Sequence, residues 1–495
     1  MTQRPLKVFG ADFADYPIMQ EMLMGLSGAD TLLVGGRSGA ASFDNDATLR
    51  AVAYFDWQPY QRAARASPDQ RSVDAASEAF YNDARWAFER SLDRVFLTPL
   101  TARDIEHYFW NLVARLETDF APLRDGLIVL FAHTPHFPWH IVFFYVCRRL
   151  GVPCYIFKRT QTPDGMFFDT ELMARQAPCI KARHPVDPAE VLDATSEISG
   201  RLARSREINQ AAEITAMQRM GARLSLKILR RLFKRRRAFL EDHYYREPWW
   251  RLFLFTLRRD RDRRADIAYL NNHADSQAPT QPYVYFALHY QPERTTVPEA
   301  GIYQDQRLAI RALAAALPAG WILAVKEHPR QLGDRRPDLR CLHYARRGLY
   351  TDIGALNNVR VVHAFTPSAP LLAGARLVAS CNGSSVFEGL QQGIPGLTFV
   401  PTWHSACPSG PAIDTLASLG TLVQTLIKKS QADVQADFER FIQTQARNWF
   451  IGANDDRAAE LSQRTRAELV GAMRAEVAGL IDDLGPGLSD TPTER

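Results

Sequence analysis

The chain has 495 residues, 46% of them hydrophobic and 23% charged, with a net charge of +5. That length exceeds one ordinary core and suits two domains with connecting helices, while the composition argues against extended disorder. No apolar run approaches the roughly 20 residues of a spanning helix, and the start lacks a signal-peptide pattern, so the expected location is the cytoplasm.

In chain order, Leu6–Gly10 and Thr31–Gly36 read as short apolar strands, the second ending in glycine. Gly126–Phe131 is a clearer strand, followed by a polar turn, an apolar helix Trp139–Leu150 and the strand Pro153–Phe157. Strand, helix and strand in succession predict a parallel βαβ unit with right-handed crossover. Residues 188–275 lack strand patterning and read as helices that link or wrap the domains. A second α/β series follows: strand Tyr283–Leu288, helix Gln304–Leu317, strands Trp321–Val325, Val359–Val362 and Leu377–Ser380, helix Ser385–Gln392 and strand Gly396–Val400. The expected fold class is α/β, with two doubly wound domains facing a cleft. Their bounds are 1–187 and 279–412, with a basic helical linker at 188–278, C-terminal helices at 413–484 and a frayed tail at 485–495.

The six cysteines, Cys147, Cys154, Cys179, Cys341, Cys381 and Cys407, form no CxxC pair and read as reduced thiols. The twelve histidines form no HExxH motif, so no metal is expected. Charge is uneven: Arg223–Arg264 holds fifteen Arg/Lys against five Asp/Glu, a local +10. Within it Leu229, Leu232, Phe233 and Leu240 share part of one helical face, so 224–240 predicts either a helix lying on an anionic membrane or a solvated linker helix. Nucleic acid would use the same cations, but no nucleic-acid module accompanies them and none is expected as a partner.

Three clusters carry possible chemistry. Lys326-Glu327-His328-Pro329 follows a strand, where a cation and an imidazole reach a phosphate, or form an ordinary polar turn. Asn382-Gly383-Ser384-Ser385-Val386-Phe387-Glu388 joins a strand to a helix. There Gly383 permits close backbone approach, Ser384 and Ser385 offer hydroxyls and N–H groups to an anion, and Glu388 offers a carboxylate to ribose hydroxyls. The alternative is a capping box with Ser385 as N-cap and Glu388 at N3. Leu288-His289-Tyr290-Gln291-Pro292-Glu293 places an imidazole and a carboxylate at the cleft edge, for acid/base or nucleophilic work or as surface polarity.

Together the strings YFALHYQPERTTVPEAGIYQDQ, AVKEHPRQ and NGSSVFEGLQQGIPGLTF resemble the C-terminal half of capsule-polysaccharide biosynthesis proteins, the group related to CMP-Kdo-dependent Kdo transferases. The segment FAHTPHFPWHIVFFYVCRRLGV is similar to the same group's PH-x-P segment. The resemblance is strongest over Tyr283–Pro408 and weak over 1–125. It implies a GT-B fold, with a nucleotide-sugar donor, CMP-linked by preference, on the C-terminal domain and a glycan or glycolipid acceptor on the N-terminal one. It implies donor-phosphate contacts for His328, Ser384 and Ser385 and a ribose contact for Glu388. The catalytic acid is not fixed by the match; Glu293 is the first choice, with His289 and Gln291 orienting the donor. His133 and His136 face the cleft from the acceptor side, or cap the helix beginning near Trp139. No DxD pair accompanies these motifs, so catalysis without a divalent ion is expected. Competing readings are a UDP-sugar-dependent transferase or epimerase, and a non-catalytic assembly or export partner.

Overall fold

The structure, a computed structural model, describes residues 6–26, 29–36, 52–57, 75–92, 100–162, 164–173, 180–193, 249–291, 293–329, 331 and 348–484. The basic stretch 224–240, the tail from 485, Cys179 and Cys341 lie outside the described residues.

The first sheet is built from β1 (Lys7–Gly10), β2 (Thr31–Gly36), β3 (Val52–Asp56), β4 (Leu127–Phe131), β5 (Cys154–Arg159) and β6 (Gly165–Asp169). Its order β3-β2-β1-β4-β5 is parallel, and β6 pairs antiparallel with β5. β4 is an unbroken apolar run, as a parallel strand covered on both faces must be. Val129 and Phe131 meet Phe143 of the helix Pro138–Arg149 on one face, and Ile128 and Leu130 lie with Leu23 and Met473 on the other.

The second sheet repeats the pattern with β7 (Tyr283–Ala287), β8 (Ile322–Lys326), β9 (Val359–Val362), β10 (Leu377–Ser380) and β11 (Gly396–Thr398). Its order β9-β8-β7-β10-β11 is parallel throughout. The expected α/β class and both doubly wound units are therefore observed. Each sheet reverses direction once, between β1 and β4 and between β7 and β10, and the crevice outside such a reversal is where open α/β sheets bind ligands.

The helices Leu419–Leu426 and Gln431–Gln445 bury Val423, Leu426, Phe438 and Phe441 against the second unit. The chain then crosses back. β12 (Phe450–Ile451) pairs antiparallel with β6, and the helix Arg466–Leu484 packs Leu469, Val470, Met473 and Val477 against the first sheet. None of the described helices is long and apolar enough to cross a membrane.

The carboxyl-end loops of the two sheets meet. Glu299, in the loop after β7, accepts a hydrogen bond from the Thr134 hydroxyl in the loop after β4. Its carboxylate also lies 3.8 Å from the ammonium of Lys158 on β5, which is paired with Asp169 at 2.8 Å.

Candidate functional site

At the second sheet's reversal, β7 runs into His289, a buried imidazole whose backbone N–H donates to Gln306 Oε1 at 2.8 Å. Its Nε2 lies 3.0 Å from Ser380 Oγ at the end of β10 and 3.4 Å from the Asn382 N–H, which can only donate. That geometry makes Nε2 an acceptor and leaves Nδ1, 3.5 Å from Thr295 Oγ1, to carry the proton. The Asn382 amide donates to the Thr295 carbonyl at 2.8 Å. His289 thus fastens the loop after β7 to the loop after β10.

Gly383 lies in that second loop. A Cβ there would come 2.6 Å from Ser380 Oγ and 3.1 Å from His289 Cε1, so only glycine fits without displacement. It is the N-cap of the helix Ser384–Gln391, and no side chain caps that terminus. The uncapped first turn presents backbone N–H donors and the positive end of the helix dipole. The capping-box alternative does not hold: Gly383, not Ser385, is the N-cap, and Glu388 accepts from Ser384 Oγ at 3.3 Å, one turn away. Ser385 Oγ is buried without a hydrogen-bond partner among the described residues.

Lys326 closes β8 and is 3% exposed. Alternation along the strand puts it on the face of Ile322 and Ala324, which shares a core with Val386 and Phe387 of the helix Ser384–Gln391. It makes no ion pair among the described residues. The adjacent Glu327 carboxylate accepts from the Tyr350 hydroxyl and from the His328 N–H, both at 2.6 Å. Burial pulls the Lys326 ammonium down to about 8, against the opposing field of Glu327. Such a cation is costly to hold unless an anion joins it.

The remaining predicted residues lie in the loops after β7 and β8. His328 has its ring 5.9 Å from that of Tyr290. Gln291 is buried, with its backbone N–H on Gln331 Oε1 and its side-chain amide on the Gln304 carbonyl, both at 2.8 Å, and so pins the loop. Glu293 is exposed and accepts from Thr295 Oγ1 at 3.1 Å.

The first sheet's reversal holds its own polar group. Asp12, just beyond β1, is buried; its Oδ1 accepts from the Ala132 N–H at 2.9 Å and its Oδ2 lies 3.4 Å from His133 Nε2. The Tyr16 hydroxyl also meets that nitrogen. His133 and His136 each direct Nδ1 to the Thr134 carbonyl at 3.1 Å, and their rings are 4.6 Å apart. Neither caps the following helix, whose N-cap is Phe137 without a side-chain cap bond. Asn454, arriving from the C-terminal segment, donates to the Ala132 carbonyl at 2.8 Å.

Sequence reasoning assigned no role to Asp12, Ser380, Asn382, Glu299 or His404. His404 is buried against Phe387 and Trp403, and burial lowers its imidazole to about 3, with the Gly383 backbone acting the other way. It stands neutral beside the Gly383 backbone. The available signal for Asp12 and Asn382 was position, since each lies within two residues of a strand's carboxyl end.

No family model and no curated protein matches the chain. Among solved structures it is similar to an α,α-trehalose 6-phosphate synthase from Burkholderia multivorans, with 11% identity over 100% of both chains and a TM-score of 0.36. It is likewise similar to an α,α-trehalose-phosphate synthase (UDP-forming) from Burkholderia vietnamiensis, with 11% identity over 99% of this chain and 100% of that one and a TM-score of 0.37. The spinosyn rhamnosyltransferase SpnG in complex with spinosyn aglycone shares 13% identity over 89% of this chain and 96% of that one, with a TM-score of 0.26. Likeness at these scores leaves fold and function to rest on this chain's own topology and residues.

Proposed function

We propose that the chain is a glycosyltransferase of bacterial surface-polysaccharide biosynthesis that moves a sugar, Kdo from CMP-Kdo, to a glycan or glycolipid acceptor. The observation that carries the reading is Lys326, a buried cation without an ion-pair partner among the described residues, on the same face of the sheet as an uncapped helix N-terminus. A donor phosphate placed there receives N–H groups from Ser384 and Ser385, the close approach that Gly383 allows, and the charge of Lys326. Glu388, one turn along the helix, takes a ribose hydroxyl, and His328 adds a second contact to the phosphate side.

Sugar transfer needs stabilisation of a departing phosphate and of an oxocarbenium-like sugar. The exposed Glu293 carboxylate is the group proposed for the sugar. His289 holds Ser380 and Asn382 in place from beneath. Across the cleft, Asp12, His133 and His136 form the acceptor side; both ring nitrogens of His133 are engaged, by Asp12 and Tyr16 on one side and the Thr134 carbonyl on the other, so its proposed role is to position that side rather than to take a proton.

Titration calorimetry of the full chain with CMP, UDP and GDP tests the reading. Selective CMP binding, abolished in Lys326→Met and in His328→Ala, supports it. Binding of UDP alone transfers the reading to UDP-sugars, and absence of binding to all three removes the nucleotide site.

A further inference from the structure

The proposed donor and acceptor sides stand on different sheets, and one carboxylate joins the loops that carry them. Thr134, buried in the loop after β4, is a hub. Its carbonyl, which can only accept, takes the Nδ1–H of both His133 and His136 at 3.1 Å, and its hydroxyl donates to Glu299 in the loop after β7. The Glu299 side chain is 13% exposed and lies 3.8 Å from the ammonium of Lys158, itself 12% exposed. A carboxylate drawn this far from water needs a donor, and among the described residues the Thr134 hydroxyl is the one within hydrogen-bond reach. The other end of the same loop belongs to the donor side. There the Thr295 carbonyl accepts from the Asn382 amide at 2.8 Å, one residue before Gly383, the N-cap of the helix Ser384–Gln391. Between the two ends the Glu293 carbonyl closes the turn, accepting from the Thr296 and Val297 N–H groups at 3.1 and 3.0 Å and from the Thr296 hydroxyl at 2.8 Å. The Glu299 N–H bonds the Arg294 carbonyl at 3.3 Å. Residues 293–299 are thus braced to move as one piece.

Two reactants carried on separate units must be held in near-attack geometry, where a misplacement of about 1 Å can cost about a hundredfold in rate. We infer that Glu299 is a positioning residue: through the Thr134 hydroxyl it holds the two acceptor-side imidazoles of the first unit in register with the donor loop of the second. The inference rests on the sugar-transfer reading and adds to it the residue that brings the two half-sites together. His133 and His136 share the Thr134 carbonyl, so whatever moves Thr134 turns both rings. A ligand that shifts Asn382 moves the braced loop, and Glu299 passes that movement to Thr134. Lys158, paired with Asp169 at 2.8 Å, adds attraction to Glu299 from the first unit without a direct hydrogen bond. An uncharged acceptor oxygen at position 299 therefore suffices for the tie, whereas a methyl group there releases it.

The test uses the full chain labelled with ¹⁵N in its histidine rings, CMP as the probe, and imidazole NMR spectra in which His133→Gln and His136→Gln identify the two signals. Saturating CMP is expected to shift both signals in the wild type. Glu299→Ala, and Thr134→Val, which removes the hydroxyl but leaves the carbonyl under both rings, are expected to abolish those shifts. Glu299→Gln, which keeps an oxygen for the Thr134 hydroxyl, retains them. CMP affinity, measured by calorimetry, stays within about threefold of wild type in all three, because none of them touches the proposed phosphate contacts. Shifts of wild-type size in Glu299→Ala or Thr134→Val overturn the assignment, and so does their loss in Glu299→Gln. Thr134→Val leaves Glu299 in place, so the assignment is decided even where Glu299→Ala does not fold. If wild-type protein fails to bind CMP, the nucleotide reading falls by itself, and the ligand-free spectra decide the positioning role. Signals displaced in Glu299→Ala and Thr134→Val but not in Glu299→Gln uphold it, and signals unchanged in all three overturn it.

Discussion

Replacing Lys326 with methionine removes a charge from a site that is 3% exposed while keeping a side chain of similar length. A lysine brought from 10.5 to about 8 carries, at pH 7, a cost of about 3 kcal/mol in the ligand-free protein. The sign follows from the direction of the shift. The unfolded chain binds the proton more tightly than the folded one, so the cost is fully present below pH 8 and is relieved as pH rises from about 8 toward 10.5. Lys326→Met should therefore stabilise the unliganded protein at pH 7 by about 2–3 kcal/mol, allowing for relaxation around the site, and that advantage should shrink above pH 8. Urea unfolding followed by tryptophan fluorescence at pH 7, 8.5 and 10 reads the difference. The same variant should lose at least about tenfold in CMP affinity, because the phosphate no longer meets a cation. Equal urea midpoints at all three pH values, or a variant that binds CMP as well as wild type, would refute the view of Lys326 as a cation held for an anionic ligand.

Three further outcomes are expected. A phosphate beside Lys326 draws its ammonium back up, so CMP binding should take up a proton above pH 8 and weaken by up to about tenfold per pH unit there; calorimetry in buffers of different ionisation enthalpy measures the uptake. Gly383→Ala should weaken CMP binding and cost about 1–3 kcal/mol, because the new methyl meets Ser380 Oγ and His289; adding Ser380→Ala, which removes that hydroxyl, should restore part of both losses. His404, neutral when folded and lowered to about 3, makes stability fall as pH drops from 6.5 toward 3, since the unfolded chain gains the proton first. His404→Leu should flatten that acid limb, and an unchanged acid denaturation profile would show that His404 does not titrate on unfolding.

The elements that could be read from sequence were those whose side chains report their surroundings directly. Leu127–Phe131 is apolar at every position because both faces are covered, and the strands at Val359–Val362 and Leu377–Ser380 have the bounds expected of them. Boundaries moved where backbone geometry decided them: the helix expected from Ser385 begins at Ser384, because Gly383, in extended conformation, serves as its N-cap. What escaped were contacts between residues far apart in the chain. Asp12 and His133 meet only because β1 lies beside β4, a neighbour relation set by strand order, and nothing in the residues around Asp12 specifies it. His404 follows β11 in a run that reads as a polar loop, and it is buried because Phe387 and Trp403 close over it, with Phe438 and Phe441 of the helix Gln431–Gln445 packed behind them. Glu299 is the furthest case. It reads as an ordinary loop carboxylate in its own segment, and its contacts with Thr134 and Lys158 exist only once one unit has docked on the other. A chemical group assembled by docking two sheets is invisible to local pattern and plain in the topology, and so the polar loops after β7, β8 and β10, which lie within one unit, could be singled out from sequence while the junction between the units could not.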